Sequence, residues 1–153
     1  PLADIVDSKT RSRMMSGIKG KNTQPEILVR RLLFASGYRF RLHRRDLPGT
    51  PDIAMPGRKI AIFVHGCFWH FHHGCRFAKM PATRPDFWKA KLEANVVRDR
   101  RAVEKLNALG WRVLCVWECA MRDAEVAANL QVAMSSWIES GEPLGEIGAP
   151  SRG

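Results

Sequence analysis

The chain lacks any apolar run long enough to cross a lipid bilayer. Its longest such run, residues 60–64, is far shorter than the roughly 20 residues of a membrane-spanning helix. No stretch near its start has the pattern of a secretory signal, and no internal repeat or low-complexity tract is present. For 153 residues these absences predict a single folded domain, a cytoplasmic location and no membrane partner.

Acidic residues are scarce, since 15 Asp and Glu stand against 25 Lys and Arg, a net charge of +10. The excess of basic residues is confined to residues 1–110, which carry 22 basic and 9 acidic residues. Residues 111–153 carry 3 basic and 6 acidic residues. Such a field attracts polyanions by counterion release. The charge therefore favours a nucleic-acid partner, although ribosomal and other soluble proteins share this composition.

Only four cysteines are present, and in a reducing compartment they indicate metal ligands or buried thiols rather than disulfides. Residues 64–75 hold two of them together with four of the five histidines. The spacing C-x4-H-x2-C predicts a zinc site that closes with a fourth ligand from the end of a later strand. The expected ligands are Cys67, His72, Cys75 and Cys119, with His73 as the alternative to His72 and unconnected thiols as the alternative to zinc. Four such ligands leave no open position, so the zinc would be structural; Cys115 is interpreted as a core residue.

Hydrophobic periodicity predicts an α/β sandwich around a mixed central sheet flanked by helices. We expect a basic amino-terminal arm over residues 1–20, one domain over 21–140 and a loose glycine- and proline-rich tail over 141–153. The predicted helices cover residues 23–36, 85–109 and 123–140, and the predicted strands 38–42, 52–55, 59–64 and 111–118.

Asp52 heads a short strand that a tight turn connects to the apolar strand 59–64. A two-residue turn would place Asp52 opposite Ala61, on the sheet face of Phe63 and His65. With a backbone carbonyl of the adjoining strand, Asp52 could then hold Mg²⁺. The alternative is that Asp52 is only a turn residue after proline.

Several other side chains have both a structural and a functional interpretation. Asp99 interrupts the apolar stripe of the helix 85–109, where it could orient His70 as a base or pair with a neighbouring arginine. Phe68 and Trp69 could stack on bases or pack on their own loop. Glu26 has a sufficient structural role in a capping box.

Five segments together closely resemble the very short patch repair endonucleases, the Vsr family: residues 47–52, 63–70, 81–88, 95–101 and 110–119. The resemblance covers about residues 7–138. It implies a restriction-endonuclease-like fold and a Mg²⁺-dependent nick on the 5′ side of the thymine in a T·G mismatch, which arises when 5-methylcytosine is deaminated. The broader nuclease fold usually has a carboxylate, any residue and a lysine where this chain reads Val64-His65-Gly66.

The same resemblance implies roles for individual residues. Asp52 and the carbonyl of Val64 would hold Mg²⁺, His70 with Asp99 would activate water, and Glu26 and His65 would assist. Structural Zn²⁺ would be held by Cys67, His72, Cys75 and Cys119. The residues that would contact DNA are Phe68, Trp69 and Trp88, which would wedge beside the mismatch, and Arg11 and Met14 of the basic arm.

Double-stranded DNA containing a T·G mismatch is the expected partner, together with other mismatch-repair proteins, and we expect a monomer. One competing hypothesis is a non-catalytic, zinc-stabilised nucleic-acid-binding protein. Another is a hydrolase that uses an open zinc site, which would require one of the four soft ligands to be absent.

Overall fold

A computed structural model describes residues 22–150 of the chain. In chain order its elements are α1 (Gln24–Ala35), β1 (Arg41–Leu42), β2 (Ile53–Met55), β3 (Ile60–His65), a short 3-10 helix (Arg76–Ala78), α2 (Pro85–Ala108), β4 (Arg112–Trp117), α3 (Cys119–Arg122), α4 (Ala124–Ala128), α5 (Leu130–Ser140) and β5 (Leu144–Ile147). The predicted arm over residues 1–20, with Arg11 and Met14, lies outside the described residues. No helix within residues 22–150 is long and apolar enough to span a membrane.

Five strands form one mixed sheet in the order β1-β2-β3-β4-β5. The first three are antiparallel neighbours, while β4 and β5 run parallel to β3. Because β3 is buried along its whole length, it reads as a continuous apolar run rather than an alternating one. The prediction of a mixed sheet flanked by helices is confirmed.

Helices cover both faces of this sheet. On one face α1 and α5 pack against β3 and β4 through a core that includes Val29, Leu33, Ile62, Leu114, Leu130, Met134 and Ile138. On the other face α2 packs through a smaller cluster that includes Ala61, Phe63, Ala102, Leu106 and Val113. The smaller cluster leaves room for polar groups at the end of the sheet where β3 finishes.

The predicted helix starts are confirmed by their caps. The Thr23 hydroxyl accepts a hydrogen bond from the Glu26 N–H at 3.3 Å, and the Asp123 carboxylate accepts one from the Val126 N–H at 3.0 Å. The single helix predicted over residues 123–140 is wrong, because the helix breaks at Asn129. The Asn129 side chain donates to the Glu125 carbonyl, and asparagine is a residue that competes in this way with helical hydrogen bonding.

The hairpin between β2 and β3 differs from the predicted two-residue turn. Met55 pairs with Ile60, so four residues separate the strands, and the register puts Asp52 one step before the Ile53–Ile62 pair. Asp52 is therefore opposite Phe63, not Ala61. A shift of two residues leaves side chains on the same face, so Asp52 still shares the face of His65.

The loose tail predicted from residue 141 is wrong for residues 144–147, which form β5 and pair in parallel with β4. A side chain at Gly145 would place its Cβ 2.2 Å from Trp137 Nε1, so only glycine allows this strand to lie against α5. The Trp137 indole N–H also donates to the Leu144 carbonyl at 3.0 Å. The pattern of neighbouring apolar residues in the sequence does not reveal these long-range contacts, so it did not predict β5. The strand predicted over residues 38–42 is likewise shorter, at Arg41–Leu42, because its partner β2 has only three residues.

Candidate active site and metal cluster

The Asp52 carboxylate lies against the end of β3, where its Oδ2 accepts a hydrogen bond from the Val64 N–H at 2.7 Å. It faces a cavity of about 270 Å³ whose lining includes His43, Thr50, His65, His70, Arg98 and Asp99. The loop that delivers Asp52 packs closely, since a side chain at Gly49 would place its Cβ 2.6 Å from that of Ala102. The carboxylate is thus held in place by backbone and close packing.

Two buried histidines share this cavity. The His65 and His70 rings are stacked, with centroids 3.6 Å apart and planes 14° apart. His70 Nδ1 lies 2.5 Å from Asp99 Oδ2, the geometry of an imidazole N–H donating to a carboxylate. With Nδ1 as the donor, a neutral ring carries its lone pair on Nε2, which suits a general base.

Sequence reasoning missed His43, which lies beside Glu26 and Asp52. Glu26 is only 2% exposed, and its Oε2 accepts from His43 Nε2 at 2.7 Å and from the Arg30 guanidinium. One ligand atom from each of Glu26, His43 and Asp52 lies within 4.8 Å of the others. The pairing of β1 with β2 would have placed His43 beside Asp52, because the His43 N–H donates to the Asp52 carbonyl and so continues the ladder of these two strands.

The four soft ligands converge on one point. One ligand atom from each of Cys67, His72, Cys75 and Cys119 lies within 4.8 Å of the others. His72 Nδ1 is 3.5 Å from Cys119 Sγ, whereas the neighbouring His73 is exposed and outside this cluster. Cys115, which is half-buried, also lies outside it. Three cysteine sulfurs and one imidazole are a donor set that fits a tetrahedral zinc ion.

Burial shifts the proton equilibria of these ligands in the metal-free cluster. It raises the pKa of the Cys67 thiol well above the ordinary value, raises the pKa of the Cys119 thiol, and lowers the pKa of the His72 imidazole. The imidazole is therefore ready to bind a metal, while the thiols must lose protons to do so. Metal binding here releases protons and weakens as pH falls.

Three aromatic rings form a group beside the cluster. The ring centroids of Phe68 and Trp69 are 4.8 Å apart, and those of Phe68 and Trp88 are 5.6 Å apart. All three side chains are half-buried. The Asn95 side-chain amide on α2 donates to the Trp69 carbonyl at 2.9 Å and so fixes the loop to the helix. Trp88 lies with these loop rings and not in the α2 core, to which periodicity alone would assign it.

Comparison with known proteins identifies the family. The family model described as DNA mismatch endonuclease Vsr matches residues 3–76. The chain is 52% identical to the type II nicking enzyme V.XorIIP of Xanthomonas oryzae pv. oryzae over 122 residues, which are 80% of this chain and 89% of the relative. It is 45% identical to the DNA mismatch endonuclease Vsr of Escherichia coli over 139 residues, 90% and 88% of the two chains.

The chain belongs to the Vsr family of DNA mismatch endonucleases. It is therefore a DNA endonuclease, a hydrolase whose substrate is DNA. The segment matched by the Vsr family model contains Asp52, His65 and His70, whereas Asp99 and Cys119 lie beyond it. The structure connects these two later residues with the matched segment.

The two adjacent histidines provide a matched test of the metal cluster. We expect His72→Ala to weaken zinc binding by more than about tenfold, because it removes one of four ligands, and His73→Ala to leave it unchanged. Competition against a chromophoric chelator measures both affinities. Equal losses in the two variants, or a loss in His73→Ala alone, would show that the cluster is assigned to the wrong histidine.

Proposed function

We propose that this Vsr-family chain uses Mg²⁺ to nick duplex DNA on the 5′ side of the thymine in a T·G mismatch. The single observation that carries the proposal is the cavity at the end of β3, where Asp52 and the His65–His70–Asp99 group meet, separate from the soft-ligand cluster. The Escherichia coli relative is named a DNA mismatch endonuclease, which supports a mismatch as the substrate. The helix–sheet–helix layering is consistent with a restriction-endonuclease-like fold.

Asp52 and the Val64 carbonyl are the proposed Mg²⁺ ligands. Hard oxygen donors are what Mg²⁺ prefers, and the hydrogen bond from the Val64 N–H already fixes the Asp52 carboxylate against this strand. Bound Mg²⁺ would neutralise charge on the scissile phosphate. Glu26, held by Arg30 and His43, would position water beside this site.

The paired histidines would move the protons of hydrolysis. His70 would take a proton from the attacking water at Nε2, while its Nδ1 donates to Asp99, which fixes the ring and stabilises its charged form. The water oxygen forms a new bond to phosphorus, the bond from phosphorus to the leaving oxygen breaks, and that oxygen takes up a proton. His65, stacked on His70, is placed to supply this proton or to contact the phosphate.

The zinc proposed for Cys67, His72, Cys75 and Cys119 would have a structural role. Four protein ligands leave no position for water or substrate, so chemistry at this metal is not expected. The cluster instead joins the loop after β3 to the end of β4. That loop carries Phe68, Trp69 and His70.

The aromatic group and the amino-terminal arm are the proposed DNA contacts. Phe68 and Trp69 lie on the loop that carries His70, and Trp88 lies on the helix that carries Asp99. The three rings are half-buried and in mutual contact, and they could be inserted between base pairs beside the mismatch. Arg11 and Met14 would lie against the duplex. We propose that a monomer of one domain, extended by β5, suffices for cleavage, and that other mismatch-repair proteins act with it.

A direct cleavage assay tests the function. The full chain is incubated with Mg²⁺ and end-labelled duplexes that differ only in a T·G or a T·A pair. We expect one nick, on the thymine strand and on its 5′ side, only in the mismatched duplex and only with Mg²⁺. Salt-dependent binding without any scission would instead identify a non-catalytic DNA-binding protein.

Removing the catalytic groups should separate cleavage from binding. Asp52→Ala and His70→Ala should reduce the nicking rate at least about 100-fold, because proton transfer and metal binding each contribute on that scale. Binding to the T·G duplex should persist in gel-shift titrations. Asp46→Ala is the matched control, since that exposed carboxylate pairs with Arg44 and does not line the cavity. Binding that falls in proportion to cleavage would contradict the catalytic assignment.

Selectivity for the mismatch should depend on the aromatic group. Trp69→Ala should lower the preference for T·G over T·A duplexes roughly tenfold, because stacking on a base contributes about 1–3 kcal/mol. The control is Phe34→Ala, which removes an aromatic ring that is 60% exposed on α1. Relative nicking rates on the two duplexes measure the effect. Unchanged selectivity in Trp69→Ala would contradict the insertion of Trp69 beside the mismatch.

A further inference from the structure

The end of the segment 144–149 lies against the metal cluster. The Ala149 N–H donates to Cys119 Sγ at 3.2 Å. A side chain at Gly148 would place its Cβ 3.2 Å from His72 Cε1 and 3.3 Å from Cys119 Sγ, so the bare backbone lies directly on two of the ligands. Parallel pairing of Cys115 with Glu146 fixes this segment to β4.

Glu146 contacts the outer side of the His72 ring. His72 Nδ1 faces Cys119 Sγ, so Nε2 points away from the cluster, and a neutral ring that binds a metal through Nδ1 carries its proton on Nε2. Glu146 Oε1 lies 3.9 Å from that Nε2, beyond direct hydrogen-bond distance, and accepts a hydrogen bond from the Trp117 indole N–H at 2.5 Å. A metal-bound histidine is usually oriented by a group outside the ligand set, and here the Glu146 carboxylate acts on the ring through Trp117.

Trp117 links Glu146 to the His72 ring, because it is hydrogen-bonded to one and stacked on the other. Its indole is stacked on the His72 imidazole with centroids 3.9 Å apart and planes 5° apart. Because Glu146 holds the indole N–H, this carboxylate fixes the ring on which His72 is stacked. Trp117 is also edge-on to His65 at 5.4 Å, so the same stack borders the catalytic cavity.

We propose that the carboxyl-terminal segment 144–149 retains the metal: Glu146 positions His72, and the Ala149 N–H stabilises the Cys119 thiolate. The inference rests on the proposed zinc site and adds two positioning groups to it. Neither group is a metal ligand. Both act from outside the four donors, and both are lost when the segment separates from β4. Separation of this segment from β4 would therefore speed zinc release.

Zinc release from the full chain tests the proposal. Zinc-loaded wild type, Glu146→Ala, Glu146→Gln and Ala149→Pro are mixed with excess 4-(2-pyridylazo)resorcinol, and release is followed by absorbance. We expect Glu146→Ala and Ala149→Pro to release zinc about tenfold faster, the lower end of the effect seen for groups that support metal ligands. Glu146→Gln should be intermediate, because its amide oxygen can still accept from Trp117.

Glu142→Gln is the matched control, since it removes an exposed carboxylate two residues before the segment and should behave as wild type. Cobalt-substituted protein adds a readout that general destabilisation does not move: the thiolate-to-cobalt absorption band should shift in Ala149→Pro and not in Glu142→Gln. If Ala149→Pro does not fold, Glu146→Ala decides, because Glu146 is exposed.

The outcomes distinguish failure of the structural zinc site from failure of the role of segment 144–149. A wild-type chain that binds no zinc would overturn the structural zinc site and this inference with it. A wild-type chain that holds zinc, together with wild-type release rates in Glu146→Ala and an unshifted cobalt band, would overturn only the role of segment 144–149. Faster release in the two variants and not in the control would establish it.

Discussion

The contact between the ends of β3 and β4 determines the arrangement of everything functional in this molecule. The Glu118 N–H donates to the His65 carbonyl at 2.9 Å, and the next residue, Cys119, donates its N–H to Cys67 Sγ at 3.3 Å. Both cysteines are fully buried. A metal bound there would add metal–ligand bonds to these hydrogen bonds. The loop that carries Phe68, Trp69 and His70 is anchored at this point.

The two proposed metal sites have opposite chemistry and different tasks. The cluster of sulfur and imidazole donors is buried and complete, so it suits a soft ion that holds structure. The Asp52 site has oxygen donors at the edge of an open cavity, which suits a hard ion that shares its coordination with water and phosphate. Trp117 lies between them, stacked on His72 and edge-on to His65. This ring gives the carboxyl-terminal strand a physical connection to the catalytic histidines.

Local signals in the sequence predicted much of this fold. The caps at Thr23 and Asp123, the apolar run of β3 and the stripe of α2 are properties of neighbouring residues, and each located its element. The shared face of Asp52 and His65 survived an error in turn length because sheet faces repeat every two residues. By contrast, β5 has few apolar residues and exists through its pairing with β4 and its packing on Trp137. His43 and Glu146 were missed for the same reason: their contacts lie with residues 17 and about 30 positions away.

Element-specific anomalous diffraction tests the separation of the two metals most directly. Crystals of the zinc-loaded chain with a T·G duplex and Mn²⁺ in place of Mg²⁺ would be measured at the zinc and manganese absorption edges. We expect a zinc peak enclosed by Cys67, His72, Cys75 and Cys119, and a manganese peak beside Asp52 and the Val64 carbonyl. Manganese inside the cysteine cluster, or zinc beside Asp52 with the cluster dispersed, would contradict the central claim that one metal holds the structure and another serves the chemistry.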